Sequence, residues 1–183
     1  MAGSRRAVFI DRDDTLCKDV PYCSRPEDLQ LFPGAGEAVA KLNEVGFTVI
    51  VITNQSGIGR GWLDERTLEL IHDKMRKDLA VFNARVDAIY HCPHIPEDNC
   101  DCRKPKTRMI ESAARDFALN LRESYMIGDR LMDIQMARNA GARAVLVRPH
   151  GRGEESEEAR RLADYSCARL DDAVEWIISQ EGK

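Results

Sequence analysis

The chain has 183 residues, of which 43% are hydrophobic and 32% are charged, and its formal net charge is −4. These values are typical of one soluble globular domain and exclude a disordered chain, and the lack of a clustered basic stretch argues against nucleic acid as a partner. No run of about 18 apolar residues predicts a membrane span. No signal-peptide pattern precedes the first predicted strand, so we expect a cytoplasmic protein in which the six cysteines are reduced thiols or metal ligands.

Short apolar runs alternate with amphipathic segments along the chain. The apolar runs predict five strands, at residues 7–10, 47–52, 86–90, 124–127 and 144–147. The amphipathic segments predict six helices, at residues 34–44, at 64–82 with Asp64 as the N-cap, at 107–118, in a segment ending at 139–141, and at 154–163 and 171–179. The predicted fold is a three-layer, Rossmann-like α/β fold with a mostly parallel sheet, and we expect residues 1–183 to form one domain without a separate cap domain.

Three carboxylates follow the first predicted strand, at Asp11, Asp13 and Asp14. A buried strand places them at its carboxyl end, where open α/β sheets bind their ligands. A divalent cation, or a proton held by one of the acids, would relieve their mutual repulsion. A long loop at residues 17–33 comes next, and ordered loops of this length are more often functional than connective.

Polar residues also stand at the other strand ends and at helix starts. They are Thr53, Asn54, Arg103, Lys104, Asp129 and Asp133. The carboxyl ends of parallel strands share one edge of the sheet, so we expect these residues near the three acids. Carboxylates favour Mg²⁺, whereas lysine, arginine and threonine neutralise phosphoryl oxygens. The glycine-rich loop at 55–61 would let backbone approach a phosphate closely, so the pattern predicts Mg²⁺ beside a bound phosphate.

Four segments resemble, in order, the motifs of the haloacid dehalogenase (HAD) superfamily of phosphohydrolases. They are residues 11–15, residues 51–54, Lys104 and residues 128–133. Residues 53–61 and 92–105 are similar to the branch of that superfamily that holds D-glycero-D-manno-heptose 1,7-bisphosphate phosphatases and histidinol-phosphate phosphatases.

The resemblance implies roles for the polar residues. Asp11 would be the nucleophile that forms an aspartyl-phosphate, and Asp13 would be the general acid and base. Thr53 and Lys104 would bind the oxygens of the transferring phosphoryl group. The remainder of the substrate would contact Asp19, Tyr22, Asn54, Gln55, Ser56, Arg103 and Arg130.

The resemblance also implies a magnesium site. The Asp11 carboxylate, the backbone carbonyl of Asp13 and Asp129 would hold Mg²⁺, and Asp133 would orient the loop or the catalytic lysine. Alternation along the strand predicts that the side chain of Arg12 points away from the site. Asp14 stands where the family usually has glycine, and we expect it to have a backbone role.

A second metal site is predicted in a loop at about residues 91–103. Cys92, His94, Cys100 and Cys102 form a C-x-H-x₅-C-x-C pattern. Four soft ligands so close together suit tetrahedral Zn²⁺, and the resemblance supports this assignment. A closed shell of four ligands leaves no position for water, so we expect a structural zinc that shapes the loop.

The motifs together predict a Mg²⁺-dependent phosphomonoesterase of carbohydrate metabolism. The resemblance favours D-glycero-D-manno-heptose 1,7-bisphosphate as the substrate, at its C7 phosphate, and histidinol phosphate or another small sugar phosphate stays an alternative. A phospho-accepting signalling domain also gathers Asp, Thr and Lys around Mg²⁺, but the acid and base at Asp13 argues against it. A zinc-bearing interaction module is weakened by the acidic edge. We expect a small phosphorylated partner, no membrane partner and a monomer.

Overall fold

The computed structural model describes residues 5–20, 23–147 and 154–181. The strands in these ranges are β1 (Ala7–Ile10), β2 (Thr48–Asn54), β3 (Ala88–Cys92), β4 (Tyr125–Gly128), β5 (Arg143–Val147) and β6 (Tyr165–Cys167). All six pair in parallel in one sheet, in the order β3-β2-β1-β4-β5-β6. The predicted parallel sheet is therefore confirmed.

Helices cover the sheet on both faces. In the described ranges they are α1 (Ala35–Glu44), α2 (Glu65–Ala80), α3 (Arg108–Phe117), α4 (Leu131–Ala140), α5 (Glu154–Leu162) and α6 (Leu170–Ser179). One hydrophobic core holds residues of α1, α2 and α6, and a second core on the opposite face holds residues of α3, α4 and α5. This arrangement confirms the three layers. None of the helices in the described part of the chain is long and apolar enough to cross a membrane.

The first strand lies at the centre of the sheet and is buried on both faces. Val8 and Ile10 belong to one core, Ala7 and Phe9 to the other, and all four residues are 0% exposed. This explains why the run is apolar at every position instead of alternating with polar residues. The chain leaves β1 for β2 and β3 on one side and later returns to β4 on the other, so the order reverses between β1 and β4. Open α/β sheets bind ligands at the carboxyl end of such a reversal.

Local hydrogen bonds determine where several elements begin. The carboxylate of Asp64 accepts a hydrogen bond from the backbone N–H of Thr67 at 2.7 Å, so the predicted N-cap of α2 is confirmed. β3 begins two residues later than predicted. The backbone N–H of Val49 in β2 donates to the side-chain carboxylate of Asp87 at 2.8 Å. This carboxylate takes the place of a backbone carbonyl as the acceptor, so the regular pairing of β3 with β2 begins only at Ala88.

The sixth strand was not predicted. Tyr165–Cys167 has three residues and lies at the edge of the sheet beside β5. A run of three residues is too short to show a period of two, so its tertiary pairing, and not a local pattern, makes it a strand. Between β1 and α1 the described residues contain one short 3₁₀ turn, Pro26–Asp28, and no further strand, which agrees with the expected lack of a cap domain at this position.

A buried serine joins the start of the central strand to the segment before β4. Ser124 is 0% exposed, its Oγ accepts a hydrogen bond from the backbone N–H of Ala7 at 3.0 Å, and it donates to the carbonyl of Asn120 at 2.7 Å. We predict that Ser124→Ala lowers the free energy of unfolding in urea by about 1–3 kcal/mol, because both backbone groups lose their partner.

Ser179 provides a matched control for this substitution. Its hydroxyl donates to the carbonyl of Trp176 at 2.7 Å, but the residue is exposed, so water can replace the lost bond. Ser179→Ala should change the free energy of unfolding by less than about 0.5 kcal/mol. Equal effects of the two substitutions would contradict the proposed importance of the buried serine.

Candidate active site

Three buried carboxylates converge at the carboxyl end of the sheet. Asp11 directly follows β1, Asp129 directly follows β4, and Asp133 lies in the first turn of α4. One oxygen from each lies within 4.8 Å of the others. The backbone N–H of Asp11 donates to the carbonyl of Ile127 at 2.9 Å, which extends the pairing of β1 and β4 and holds their ends together. The predicted meeting of these acids is thus observed.

Asp133 packs closely against the end of β4 because the residue there, Gly128, has no side chain. A Cβ atom at Gly128 would lie 2.3 Å from the Cβ atom of Asp133, so no larger residue fits there. One oxygen of Asp133 accepts a hydrogen bond from the backbone N–H of Arg130 at 3.1 Å. Asp133 therefore fixes the turn between β4 and α4, as the resemblance implies.

Lys104 lies between two of the carboxylates. Its Nζ is 2.5 Å from Oδ1 of Asp11 and 2.6 Å from Oδ1 of Asp133, and it donates to the carbonyl of Ile52 at 3.3 Å. Burial acts to lower the pKa of Lys104, but the charges of the two carboxylates outweigh it and raise that pKa. The side chain is therefore a fixed cation at the end of the sheet.

Lys104 does not balance the three acids, even though Nε of Arg130 also lies 3.5 Å from Oδ2 of Asp129, because three carboxylates face two cations. Burial raises the pKa of Asp11 well above its usual value, and the charges of Asp133 and Asp129 act in the same direction, against the effect of Lys104. A further cation would remove this penalty. The available donors are carboxylate oxygens, which hard divalent cations such as Mg²⁺ prefer.

The carboxylate of Asp13 is held by a neighbouring arginine, which corrects the prediction that Arg12 points away from the site. Nε of Arg12 donates to Oδ1 of Asp13 at 3.0 Å, and a second guanidinium nitrogen donates to Oδ2 at 3.1 Å. Arg12 is 1% exposed. The prediction was wrong because β1 ends at Ile10. The carbonyl of Arg12 accepts hydrogen bonds from Leu16 and Cys17, so the backbone turns here and the alternation of a strand no longer applies.

Polar side chains from the end of β2 complete this side of the site. Nε2 of Gln55 donates to Oδ2 of Asp13 and to the hydroxyl of Thr53, both at 2.8 Å, and that hydroxyl is 3.4 Å from the same oxygen of Asp13. Oδ1 of Asn54 accepts a hydrogen bond from the backbone N–H of Lys104 at 3.1 Å. Asn54 thereby helps to position the lysine.

These side chains line a pocket of about 440 Å³ at the carboxyl end of the sheet. The residues predicted to contact substrate that line it are Asp19, Asn54, Gln55, Ser56, Arg103 and Arg130. Tyr22 lies outside the described residues. Sequence reasoning missed several lining residues, namely Arg12, Val20, Cys23, Arg60, Leu63 and Met132. Arg60 could have been found from its place in the glycine-rich loop, whereas the apolar residues gave no local signal.

Asp14 adopts the left-handed conformation that its position next to the site requires. Its φ is 58°, and its carboxylate accepts a hydrogen bond from the backbone N–H of Asp19 at 3.1 Å. Aspartate tolerates this conformation better than most residues because its short side chain can bond to nearby backbone. This geometry is that of the expected backbone role, and it ties the turn after β1 to the following loop.

The predicted zinc ligands form a compact cluster. The three Sγ atoms of Cys92, Cys100 and Cys102 lie 3.2–3.6 Å apart, and Nδ1 of His94 lies 3.6 Å from Sγ of Cys92 and 3.3 Å from Sγ of Cys102. All three cysteines are free, and their sulfurs are too far apart for the S–S bond of about 2.0 Å. Nε2 of His91 is instead 2.9 Å from the carboxylate of Glu65.

Backbone hydrogen bonds join this cluster to the pocket. The carbonyl of Cys92 accepts a hydrogen bond from the backbone N–H of Gln55 at 2.7 Å, and the carbonyl of Pro93 accepts one from Gly59 at 2.9 Å. A Cβ atom at Gly59 would lie 2.8 Å from that carbonyl oxygen, so the glycine permits the close approach. The guanidinium of Arg103 donates to the carbonyl of His94 at 3.2 Å.

The chain is similar to known proteins over most of its length. A model of the HAD-hydrolase-like family matches residues 101–173. The D-glycero-beta-D-manno-heptose-1,7-bisphosphate 7-phosphatase of Haemophilus ducreyi is 35% identical, over 94% of this chain and 98% of that protein, and the Escherichia coli enzyme of the same name is 37% identical, over 99% and 98%.

A solved structure agrees with these relatives. The D,D-heptose 1,7-bisphosphate phosphatase from B. bronchiseptica, complexed with magnesium and phosphate, superposes with a TM-score of 0.84 at 33% identity, covering 96% of this chain and 99% of that one. The resemblance found in the four sequence motifs is therefore confirmed. The chain belongs to the HAD superfamily of hydrolases, in the family of D-glycero-D-manno-heptose 1,7-bisphosphate phosphatases.

Proposed function

We propose that the protein is a Mg²⁺-dependent phosphomonoesterase that removes the C7 phosphate of D-glycero-D-manno-heptose 1,7-bisphosphate through an aspartyl-phosphate. One observation carries the chemistry: Asp11 and Lys104 are in contact at the bottom of a pocket that Asp13 also lines. The names of the relatives support the substrate.

The buried acids suit a magnesium ion. The carboxylates of Asp11 and Asp129 and the backbone carbonyl of Asp13 would hold it, and Asp133 would remain the partner of Lys104. When bound, Mg²⁺ offsets the repulsion between the nucleophile and the phosphate and stabilises charge on the phosphoryl oxygens.

The first half of the reaction transfers the phosphoryl group to the enzyme. A carboxylate oxygen of Asp11 attacks phosphorus, and the bond between phosphorus and the C7 oxygen breaks. Asp13 donates its proton to the departing oxygen, so that an alcohol leaves. Lys104 and Thr53 stabilise the charge that develops on the phosphoryl oxygens.

The second half restores the enzyme. Water attacks phosphorus of the aspartyl-phosphate, and the carboxylate of Asp13 accepts its proton. The bond between phosphorus and the Asp11 oxygen breaks, which releases inorganic phosphate and returns the Asp11 carboxylate. A phospho-accepting signalling domain lacks such a base, so Asp13 favours an enzyme with repeated turnover.

The charge of the pocket favours a bisphosphate over histidinol phosphate. Arg60, Arg103 and Arg130 line the pocket, and Arg60 and Arg130 are exposed. These guanidinium groups attract a second phosphate, whereas they repel the ammonium group of histidinol phosphate. Asp19 lines the pocket beside them, and Nε of Arg130 lies 3.5 Å from the carboxylate of Asp129, but three guanidinium groups still outnumber these two carboxylates.

We also propose that the cluster of Cys92, His94, Cys100 and Cys102 holds a structural zinc. A tetrahedral zinc with Zn–S bonds of about 2.3 Å separates its ligands by about 3.7 Å, close to the distances within this cluster. The metal would fix the loop that carries Arg103 to the pocket. Free cysteines of this kind fit a reducing compartment, so we propose a cytoplasmic enzyme. We also propose that it acts as a single-domain monomer.

Phosphate release from a panel of substrates tests the proposed function. In the presence of Mg²⁺, kcat/KM for the heptose 1,7-bisphosphate should exceed that for histidinol phosphate by about 100-fold or more, because the arginines bind the second phosphate, which histidinol phosphate lacks. One phosphate should be released from each bisphosphate, over many turnovers, and chelation of Mg²⁺ should stop the reaction.

Asp11→Asn serves as the inactive control, and Asp73→Asn, at a half-exposed position of α2 that does not line the pocket, makes the same change elsewhere. Normal turnover by Asp11→Asn would overturn the mechanism. A higher kcat/KM for histidinol phosphate would overturn the substrate assignment, and a single stable phosphoryl group per chain would favour the signalling domain.

The metal content of cysteine variants tests the zinc proposal. Protein purified under reducing conditions should contain about one zinc ion per chain, and Cys102→Ser should lose it and at least about 2 kcal/mol of unfolding free energy. Cys167→Ser removes a thiol outside the cluster and should keep both the zinc and the stability. Wild-type protein without zinc would contradict the proposal.

A further inference from the structure

An arginine next to the nucleophile is almost completely buried. Arg12 is 1% exposed, although arginine is rarely buried unless its charge is paired. In the described part of the chain, Asp13 is the carboxylate within ion-pair distance of its guanidinium. The pair is bidentate, with one guanidinium nitrogen directed at each carboxylate oxygen.

The far side of the guanidinium faces neutral groups. NH1 of Arg12 is 3.4 Å from Nε2 of His72, which is buried in α2. Burial, followed by the charge of Arg12, lowers the pKa of His72 to about 3, so the ring is neutral and can accept a hydrogen bond from the arginine. Burial likewise raises the pKa of the neighbouring Cys17 thiol, which stays uncharged. These neighbours hold the guanidinium in place without competing for its charge.

Asp13 consequently has little rotational freedom. Besides the two bonds from Arg12, its Oδ2 accepts a hydrogen bond from Gln55 at 2.8 Å. The side chain of Asp13 is nevertheless 29% exposed, so the face that is not covered by these donors remains open to the pocket. A buried guanidinium that bonds to both oxygens of a partly exposed carboxylate fixes the plane of that carboxylate relative to the pocket.

We propose that Arg12 is a positioning residue that orients Asp13 for proton transfer. The inference rests on the proposed function, in which Asp13 gives a proton to the leaving oxygen and later takes one from water. Arg12 keeps its own protons throughout and holds the carboxylate through two hydrogen bonds. Misplacement of a reacting group by about 1 Å can lower the rate about 100-fold. The loss of rate expected when Asp13 loses this orientation is therefore large enough to measure.

The effect should depend on the leaving group of the substrate. The parameter kcat/KM reports the steps up to departure of the leaving group. An alkyl phosphate such as a sugar phosphate needs a proton on its leaving oxygen, whereas 2,4-dinitrophenyl phosphate releases a stable anion without one. Loss of the orientation of Asp13 should therefore slow only the first kind of substrate strongly.

The experiment compares two substrates for each variant with Mg²⁺ present: the sugar phosphate that wild-type protein hydrolyses fastest, and 2,4-dinitrophenyl phosphate. Arg12→Met should lower kcat/KM about 100-fold for the sugar phosphate and less than about 5-fold for the aryl phosphate. Arg12→Lys should give a smaller drop for the sugar phosphate, because an ammonium keeps the charge but cannot hold both oxygens in one plane.

Two further variants make the result decisive. Arg169 makes the same bidentate contact with Asp171, at 2.8 Å and 2.6 Å, on the surface at the start of α6, so Arg169→Met should leave both substrates unaffected. Asp13→Asn should show the same dependence on the leaving group as Arg12→Met. Suppose that Asp13→Asn shows this dependence on the leaving group, but Arg12→Met lowers kcat/KM equally for both substrates. Arg12 then has only a structural role, and the inference is overturned. If Asp13→Asn itself shows no such dependence, the proposed role of Asp13 is overturned and the inference with it.

Discussion

The contact of one buried lysine with two buried carboxylates is the interaction on which the rest of the site depends. Lys104 joins Asp11, after the central strand, to Asp133, in the first turn of the helix that follows β4. Burying a lone ammonium or carboxylate would cost several kcal/mol, so each charge requires the others. Their meeting point is the reversal in strand order between β1 and β4, where the fold leaves a crevice.

The position of the lysine in turn depends on a loop instead of on a strand. Lys104 comes two residues after Cys102, the last member of the cluster of three cysteines and a histidine, and its backbone N–H donates to Asn54 at the end of β2. Short loops without regular structure do not fix a side chain by themselves. The metal ion proposed for this cluster would give the loop a rigid anchor, and the backbone hydrogen bonds from the loop to residues 55–59 connect that anchor to the pocket.

Sequence reasoning found the groups that local rules determine. Asp11, Asp129 and Thr53 were predicted because each stands at the end of a buried apolar run, and parallel strands must bring such ends together. Arg12 was wrongly predicted because the rule of alternation holds only within a strand, and whether a residue lies in its last position or in the following turn depends on backbone hydrogen bonds. The edge strand Tyr165–Cys167 escaped prediction because its pairing with β5, a tertiary contact, defines it.

The covalent role of Asp11 is the central claim of this account, and chemical trapping tests it most directly. Protein mixed with excess substrate and Mg²⁺ is quenched in acid during turnover and treated with borohydride, which reduces an acyl phosphate to an alcohol but leaves a free carboxylate unchanged. Peptide mass spectrometry should then find homoserine at position 11, and only in samples that received substrate. Continued turnover with an unmodified Asp11, or reduction at Asp129 instead, would contradict the account.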